Sequence, residues 1–462
     1  MDNNILKDIQ NIVGSNGILL GEDVSSRPHA WSSLTGCLAK AIVRPANTDE
    51  LSRVMQLCHA NNQTVVTHGG LTGLVGGTTT NSDDIVISLE RMTAIEPVDT
   101  VNRSVTLEAG VPLQRVQEVA EQAGLLFPLD MGARGSATIG GNISTNAGGN
   151  SVIRYGMTRE QLLGVEAVLA DGTIISALNG AIKNNTGYDL KQLFVGSEGT
   201  LGIVTRAVLR LRPLPRSRNT ALVAVADFDC LSAFLAEMDS ALGGTLSAFE
   251  AMWNDFYRLI IGDGSKHGQP LDLKHQFYVL LESTGGDQEA DSSRFENALK
   301  QAFEADLIVD AVISQSGQQR KNLWAIRDDI KGMTRALDPP ITFDISLSIP
   351  LMNDYVDEVG AKLTAKWPDS RMVTFGHLGD GNLHLVITVG SLLESEVHAV
   401  ETIVYQALGQ RNGVISAEHG IGLEKRQYLK HSRSEAEIEL MRTLKRALDP
   451  KGILNPGKIF SL

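Results

Sequence analysis

Hydrophobic and polar positions alternate with two different periods along this chain. Five apolar residues near its start recur at helical spacing and predict an amphipathic helix over 5–13: Ile5, Leu6, Ile9, Ile12 and Val13. A second helix is predicted to begin at Thr48, where Thr, Asp and Glu precede a new apolar repeat. Short runs rich in β-branched residues predict strands at 41–43, 64–67, 85–89, 105–110 and 165–169.

A hairpin is predicted further along, where Asp380-Gly381 separates the strand-like runs 371–375 and 385–389. The turn would bring His377 and His384 together on paired strands, and two imidazoles on a rigid hairpin suit a metal such as zinc. Glu418, in the segment Ser416 to Gly420, offers a third ligand. Taken alone, the two histidines are better interpreted as surface or core residues. The Glu-His-Gly segment and the glycine-rich segments below favour the metal.

Glycine-rich segments are the next candidate binding elements. The first, His68 to Gly77, follows a predicted strand, and successive glycines let backbone N–H groups cradle an anion such as pyrophosphate. It matches neither the dinucleotide fingerprint nor the P-loop, and an ordinary turn explains it equally well. The second segment is Pro128 to Gly149, and the third combines 185–190 with 196–204. Their small hydroxyl and amide side chains favour hydrogen bonding to a large polar ligand.

The second half of the chain predicts a different architecture after the prolines at 213 and 215. Strands such as 221–225 and 277–281 alternate with helices, which favours an antiparallel sheet with helices on one face. A helix is predicted from Arg320 to Lys331, and it would place Arg327 and Lys331 on one face. Without further information, these two are a solvent-facing basic pair beside two aspartates.

Composition and charge narrow the class of protein. The 462 residues are 42% hydrophobic and 21% charged, which is enough for two to four domains with a sizeable core. The net charge of -13 gives no support to nucleic acid or an anionic membrane as a partner. The three cysteines form no disulfide or metal pattern, which fits a reducing compartment. Neither a signal peptide nor a membrane span is evident, so a cytoplasmic location is expected, or a mitochondrial one if a transit peptide was removed.

The three glycine-rich segments together resemble the flavin domain of the vanillyl-alcohol-oxidase-type FAD enzymes. With the hairpin and the Glu-His-Gly segment, the chain resembles the metal-dependent D-2-hydroxyacid dehydrogenases, and the D-2-hydroxyglutarate dehydrogenases above all. The stretches 183–204 and 376–385 carry this resemblance most specifically. It implies an α+β fold with a two-subdomain FAD-binding domain at 1–215. An antiparallel-sheet cap domain for substrate and metal would occupy 216–415, and a C-terminal helical segment at 416–462 would return to the FAD domain.

The resemblance also implies which residues bind FAD. The 68–77 loop would take the pyrophosphate, the 128–149 segment would line the flavin, and Ile203 would approach the adenine. The implied flavin residues are His68, Gly69, Gly70, Leu71, Thr72, Gly73, Gly76, Gly77, Pro128, Leu129, Gly135, Ser136, Thr138, Gly140, Gly141, Asn142, Thr145, Asn146, Gly148, Gly149, Glu198, Gly199 and Ile203.

The implied reaction is the oxidation of D-2-hydroxyglutarate to 2-oxoglutarate, with D-lactate, glycolate or another D-2-hydroxy acid as the alternative substrate. His377, His384 and Glu418 would bind a divalent metal, zinc first and manganese or iron otherwise. His419 would be the general base and a substrate-binding residue, and Arg327, Lys331 and Asn382 would orient the anionic substrate. Electrons would pass to an acceptor such as an electron-transfer flavoprotein, a quinone or a cytochrome.

Three positions depart from the resembled family. The D-2-hydroxyglutarate enzymes have threonine where this chain has Lys331, lysine at the position of Thr342 and asparagine at that of Val386. If the basic group has moved from strand to helix, a site for the distal carboxylate is kept; otherwise the substrate is smaller.

Other functions compete with a dehydrogenase. A flavin oxidase would pass electrons to oxygen, and a non-catalytic flavin-binding module would show no turnover. A metallohydrolase would leave the glycine-rich segments without a role. The oligomeric state is left open by the sequence, with a homodimer among the options.

Overall fold

A computed structural model of the chain describes residues 2–30, 36–262 and 264–462. Its helices are α1 Asp2–Val13, α2 Glu22–Ser25, α3 Thr48–Ala60, α4 Leu113–Gln122, α5 Ile139–Thr145, α6 Val152–Tyr155, α7 Thr158–Gln161, α8 Phe228–Leu242, α9 Asn254–Ile261, α10 Gln288–Glu304, α11 Gly317–Arg327, α12 Ile330–Ala336, α13 Met352–Lys366, α14 Glu394–Gly409 and α15 Glu435–Leu448. Its strands are β1 Ile18–Leu19, β2 Ala41–Val43, β3 Val65–His68, β4 Ile85–Ser88, β5 Ser104–Glu108, β6 Leu125–Leu126, β7 Leu162–Val168, β8 Ile174–Ala177, β9 Ile203–Arg210, β10 Arg212–Pro213, β11 Ser217–Val225, β12 Leu246–Trp253, β13 Phe277–Gly285, β14 Asp310–Ile313, β15 Ile341–Ser346, β16 Arg371–His377 and β17 Asn382–Thr388.

The chain divides into two compact units. The first unit comprises Met1–Gly148, Gly156–Leu214 and Glu418–Leu462, and the second comprises Gly149–Tyr155 and Pro215–Ala417. The predicted α+β fold class is confirmed, because helices and sheets are mixed along both units. The assignment of flavin binding to 1–215 and of substrate binding to 216–415 stays a prediction.

Two separate four-stranded sheets organise the first unit. One has the order β1-β2-β4-β3, in which β2, β4 and β3 run parallel, and α3 connects β2 to β3. The Asn47 side chain caps α3 by accepting a hydrogen bond from the Glu50 N–H at 2.9 Å. The second sheet is antiparallel, with the order β5-β9-β7-β8. These sheets correspond to the two predicted subdomains, and the predicted strands appear as β2, β3, β4, β5 and β7 with small shifts at their ends.

One seven-stranded antiparallel sheet forms the centre of the second unit, with the order β14-β11-β13-β12-β16-β17-β15. Side chains alternate between its two faces. On one face, Phe375 of β16 packs against Phe256 of α9, with ring centroids 4.5 Å apart. On the other face, Phe249 of β12 packs against Phe234 of α8. The prediction of helices on a single face is therefore wrong. The strands bury apolar residues on both faces, so neither face can be left to solvent.

The predicted hairpin is confirmed as β16 and β17. A single turn of 3-10 helix, Leu378–Asp380, joins the two strands, and Gly381 closes it with a φ of 83°. This left-handed backbone favours glycine, which explains the Asp-Gly signal. The register pairs Phe375 with His384, so the end of β16 lies beside the start of β17.

Candidate functional site

Two of the glycine-rich segments lie against each other in the first unit. A Cβ atom on Gly69 would lie 2.7 Å from Thr138 Oγ1, and one on Gly70 would overlap the Ser136 carbonyl oxygen. Leu71, which follows, has a φ of 56°, so the loop turns through the left-handed region. Only glycine permits this approach of 68–77 to 128–149. The result is a surface of backbone groups, as a pyrophosphate cradle requires.

The third glycine-rich segment is tied to the C-terminal part of the same unit. The Glu198 carboxylate accepts hydrogen bonds from the Ile421 N–H at 2.7 Å and the Gly422 N–H at 2.8 Å. Burial raises the pKa of Glu198, while these two N–H groups act in the opposite direction. Asn455 donates to the Glu198 carbonyl oxygen and accepts from the Thr67 N–H. The Glu198 side chain thus binds protein backbone, and its predicted contact with the flavin stays a prediction.

Two polar atoms within or beside these segments have no hydrogen-bond partner among the described residues. Asn142 Nδ2 and Thr67 Oγ1 are buried and have no hydrogen-bond partner among the described residues. A buried polar group without a partner costs free energy, so such groups in native proteins indicate a ligand, a water or a function. Together with the backbone-lined loop, they fit a large polar ligand such as FAD.

His68 differs from the partly exposed loop residues that follow it. Its side chain is buried, and its Nε2 lies 2.9 Å from the Thr78 carbonyl oxygen. Burial lowers the pKa of His68 to about 4, because the charged imidazolium loses its hydration. The ring is therefore neutral near pH 7 and donates its Nε2–H to Thr78. This hydrogen bond joins the first residue of the loop 68–77 to the residue that follows the loop.

The other predicted flavin residues fall into three classes of exposure. Partly exposed residues are Gly69, Gly70, Leu71, Thr72, Gly76, Gly77, Thr138, Gly141, Thr145 and Asn146. Exposed residues are Gly73, Gly135 and Ser136. Buried residues, besides His68 and Asn142, are Pro128, Leu129, Gly140, Gly148, Gly149, Glu198, Gly199 and Ile203. The Ile203 side chain belongs to the apolar core, so only its backbone is available to a ligand.

In the second unit, the hairpin brings His377 and His384 together with ring centroids 5.4 Å apart. Each imidazole has a carboxylate at its Nδ1 atom. His377 Nδ1 lies 2.8 Å from Glu250 Oε1, and His384 Nδ1 lies 3.8 Å from Asp344 Oδ1. The hydrogen-bonded carboxylate at His377 Nδ1 fixes that ring and directs its Nε2 to a metal, as in most histidine metal sites, whereas the 3.8 Å between His384 and Asp344 is an ionic contact that is too long for a hydrogen bond. The pair therefore fits a divalent metal.

Glu250 and Asp344 were not found by the sequence analysis. Each lies in the middle of a strand and is almost completely buried, Glu250 in β12 and Asp344 in β15. Burial by itself would raise the pKa of Glu250, but His377 and Arg327 hold this pKa below its usual range. The signal that could have revealed both residues is a single carboxylate within an apolar strand, since an unpaired buried charge is too costly to keep.

Arg327 joins the same group of residues at the C-terminal end of α11. Its Nε donates to Glu250 Oε2 at 2.9 Å, and its guanidinium carbon lies 4.9 Å from the Phe375 ring centroid. The side chain is buried, yet Nη2 has no hydrogen-bond partner among the described residues. Arginine has no acceptor group and stays charged, so this atom is suited to bind an anion.

The predicted helix is confirmed from Arg320 to Arg327, where α11 ends, but its continuation to Lys331 is wrong, because a separate helix, α12, begins at Ile330. Asp329 causes the break by accepting a hydrogen bond from the Gly332 N–H at 3.1 Å, which caps the new helix. Arg327 and Lys331 therefore do not share a helical face. Lys331 is exposed whereas Arg327 is buried, and a substrate contact of Lys331 stays a prediction.

Asn382 is the first residue of β17 and is buried. Its Nδ2 donates to Asp344 Oδ1 at 2.7 Å and to the Ile345 carbonyl oxygen at 2.9 Å. Its Oδ1 is buried without a hydrogen-bond partner among the described residues. The side chain consequently offers an acceptor, which is suited to a hydroxyl group and unsuited to a carboxylate.

Glu418 and His419 follow directly after the last residue of the second unit. Val414 exchanges backbone hydrogen bonds with Ser346, and the Ala417 N–H donates to the Asp344 carbonyl oxygen at 3.4 Å. The chain leading to Glu418 is thus attached to β15, whose Asp344 pairs in register with His384. Both Glu418 and His419 are partly exposed, and their predicted roles stay predictions.

Two sequence families match this chain. The FAD linked oxidases, C-terminal domain, match residues 214–459, and the FAD binding domain family matches residues 39–177. Within the described residues, no helix combines the length and the apolar character needed to cross a lipid bilayer.

Several curated proteins are similar over almost the whole chain. A protein named probable mitochondrial D-2-hydroxyglutarate dehydrogenase, from Oryza sativa subsp. indica, is 39% identical over 97% of this chain and 80% of its own length. A D-2-hydroxyglutarate dehydrogenase of Xanthomonas citri is 40% identical over 91% of this chain and 89% of its own. A putative mitochondrial D-lactate dehydrogenase of Schizosaccharomyces pombe is 36% identical over 98% and 90%.

Solved structures show the same fold at low sequence identity. p-Cresol methylhydroxylase with substrate bound superposes with a TM-score of 0.78 at 14% identity, covering 99% of this chain and 97% of its own. At this identity the likeness concerns the fold alone. It confirms the predicted vanillyl-alcohol-oxidase type.

Proposed function

We propose, from the premise that this chain belongs to the FAD-linked oxidase family, that it oxidises D-2-hydroxyglutarate to 2-oxoglutarate with the help of a divalent metal ion. The observation that carries this proposal is the polar network of the second unit. There, the Glu250 carboxylate lies 2.8 Å from a histidine suited to bind a metal and 2.9 Å from an arginine suited to bind an anion. A 2-hydroxy dicarboxylate needs both kinds of group: the metal for its hydroxyl, and the arginine for its distal carboxylate.

When bound, FAD supplies the hydride acceptor, and the metal supplies Lewis-acid polarisation of the substrate hydroxyl. His377, His384 and Glu418 would hold the metal. Zinc is the first choice because two imidazoles and one carboxylate form a common catalytic zinc set; manganese and iron are the alternatives. His419 accepts the hydroxyl proton as general base. Asn382, whose Oδ1 is buried without a hydrogen-bond partner among the described residues, would contact the substrate and so help to orient C2.

Arg327 is the main reason to prefer a dicarboxylate over D-lactate. Its buried Nη2 gains a charge-assisted hydrogen bond from a distal carboxylate, while the methyl group of lactate leaves it unpaired. Such a contact contributes roughly 1.5–3 kcal/mol, which is on the order of tenfold to a hundredfold in kcat/KM. Lys331, from α12, adds positive charge near solvent.

D-Lactate is the second candidate substrate. One relative carries the name of a D-lactate dehydrogenase, and the exposed position of Lys331 weakens the case for two cations that hold one carboxylate. The variants Arg327→Lys and Lys331→Ala separate the two substrates.

A substrate panel tests the proposal. We expect D-2-hydroxyglutarate to bleach the flavin absorbance under anaerobic conditions with a kcat/KM at least tenfold above that for D-lactate, and the L-enantiomer not to bleach it. Product analysis should identify 2-oxoglutarate. A flavin that no 2-hydroxy acid reduces would contradict the proposal.

The electron acceptor is tested with the same protein. We propose an electron-transfer flavoprotein, a quinone or a cytochrome, so a dye acceptor should reoxidise the reduced flavin much faster than air does. Reoxidation in air at the rate of turnover would instead identify an oxidase.

A further inference from the structure

Glu250 occupies a special place among the buried carboxylates of the second unit. Its two oxygens are shared between two different donors: Oε1 lies 2.8 Å from His377 Nδ1, and Oε2 accepts from Arg327 Nε at 2.9 Å. The residue is 1% exposed, so no solvent can replace either bond. In register, Glu250 pairs with His377 across β12 and β16, which fixes the backbone on both sides of the contact.

We propose that Glu250 is a positioning residue that sets the orientation of the metal-binding imidazole and of the substrate-binding guanidinium at the same time. The inference rests on the proposed function, because that function assigns the metal to His377 and the anion to Arg327. The carboxylate keeps the His377 proton on Nδ1, so Nε2 is the atom that carries the lone pair for a metal. By binding Nε of Arg327, it leaves the two terminal nitrogens as the donors for an anion.

A role in stability alone would not require this arrangement. A buried ion pair seldom stabilises a protein beyond what apolar residues of the same size achieve, because desolvation offsets the attraction between the charges. Glu282, in the neighbouring strand β13, shows the alternative. It is also a buried glutamate, but it accepts hydrogen bonds from Thr220 at 2.8 Å and from Trp324 at 3.1 Å, and its arginine partner is Arg218, whose Nε lies 3.7 Å from Oε1. It makes none of the contacts to His377 and Arg327, which makes it a matched control.

The test compares zinc binding and turnover in Glu250→Gln, Glu250→Asp and Glu282→Gln, all loaded with FAD. A glutamine places an NH₂ group against one of the two N–H donors, so at least one of the bonds is lost. We expect the Kd for zinc, measured by competition with a chromophoric chelator, to rise tenfold to a hundredfold. At saturating zinc, the KM for D-2-hydroxyglutarate should rise more than kcat falls.

Glu250→Asp separates geometry from charge. It keeps the negative charge beside Arg327 and therefore the fold, but its side chain is shorter by one carbon–carbon bond, about 1.5 Å. It cannot reach both donors, and we expect a weakened zinc Kd with a melting temperature close to that of the wild type. Glu282→Gln should bind zinc with the wild-type Kd.

The possible results test the positioning role of Glu250 separately from the proposed substrate. Wild-type zinc affinity in both Glu250 variants would overturn the positioning role. A loss of zinc affinity of equal size in Glu282→Gln would do the same, since it would reflect general damage to the sheet. A wild-type protein that binds zinc but does not oxidise D-2-hydroxyglutarate would refute the proposed substrate, while the zinc Kd values would still test Glu250.

Discussion

Replacing His384 with alanine is expected to lower kcat/KM for D-2-hydroxyglutarate by on the order of 10³-fold while leaving the bound flavin in place. The variant removes one of the two imidazoles of the hairpin. Lewis-acid stabilisation by a metal contributes several kcal/mol at the transition state, and about 1.4 kcal/mol corresponds to a tenfold change in rate. Zinc content, flavin absorbance and turnover should be measured on the same preparation.

The flavin should remain because the glycine-rich loop 68–77 and most of the segment 128–149 belong to the first unit, whereas His384 belongs to β17 in the second. His398→Ala is the matched control. His398 is an exposed histidine of α14 in the same unit, and its replacement should change neither zinc content nor turnover. Full activity in His384→Ala would remove the hairpin from the metal site.

Replacing Arg327 with lysine is expected to have the second largest effect, on substrate choice. Lysine keeps the positive charge beside Glu250 but has a single nitrogen, so it cannot bind Glu250 and a substrate carboxylate with the fixed fork of a guanidinium. The KM for D-2-hydroxyglutarate should rise tenfold to a hundredfold, the value of a lost charge-assisted contact of roughly 1.5–3 kcal/mol. The KM for D-lactate should change little, and steady-state kinetics with both acids measure the difference.

Lys331→Ala is the comparison for Arg327→Lys. Lys331 is exposed, and ion pairs in contact with water contribute about 0–1 kcal/mol, so we expect at most a roughly fivefold rise in the KM for D-2-hydroxyglutarate.

Equal losses for both substrates in Arg327→Lys would mean that Arg327 supports the fold alone. D-Lactate would then become the better substrate assignment.

Local signals in the sequence predicted a large part of this fold. The helix α1 follows from five apolar residues at helical spacing, and the hairpin of β16 and β17 follows from Asp380-Gly381, whose glycine takes a φ that other residues avoid. The glycine-rich segments could be recognised because close backbone approach excludes larger residues, as Gly70 shows against Ser136. In each case one short stretch of chain contains the physical cause.

Features that depend on distant residues could not be predicted in this way. Glu250 lies 127 positions from His377 and 77 from Arg327, so no local pattern connects the three residues. The break between α11 and α12 depends on Asp329, whose carboxylate also binds Lys266 and His267 from another loop. The residues near Asp329 in the sequence show only that it lies inside a helical repeat of apolar positions. The sequence pattern therefore predicts Lys331 on the same helix as Arg327, whereas it lies on α12.

Anaerobic reduction of the flavin by D-2-hydroxyglutarate, before and after chelation of the metal, is the most direct test of a metal-dependent dehydrogenase. The protein as purified should be yellow, and stopped-flow absorbance should show its flavin bleaching within one turnover. After chelation the flavin should stay bound but fail to bleach, and added zinc should restore the reaction. Bleaching at an unchanged rate in the chelated protein would contradict the role assigned to His377, His384 and Glu418.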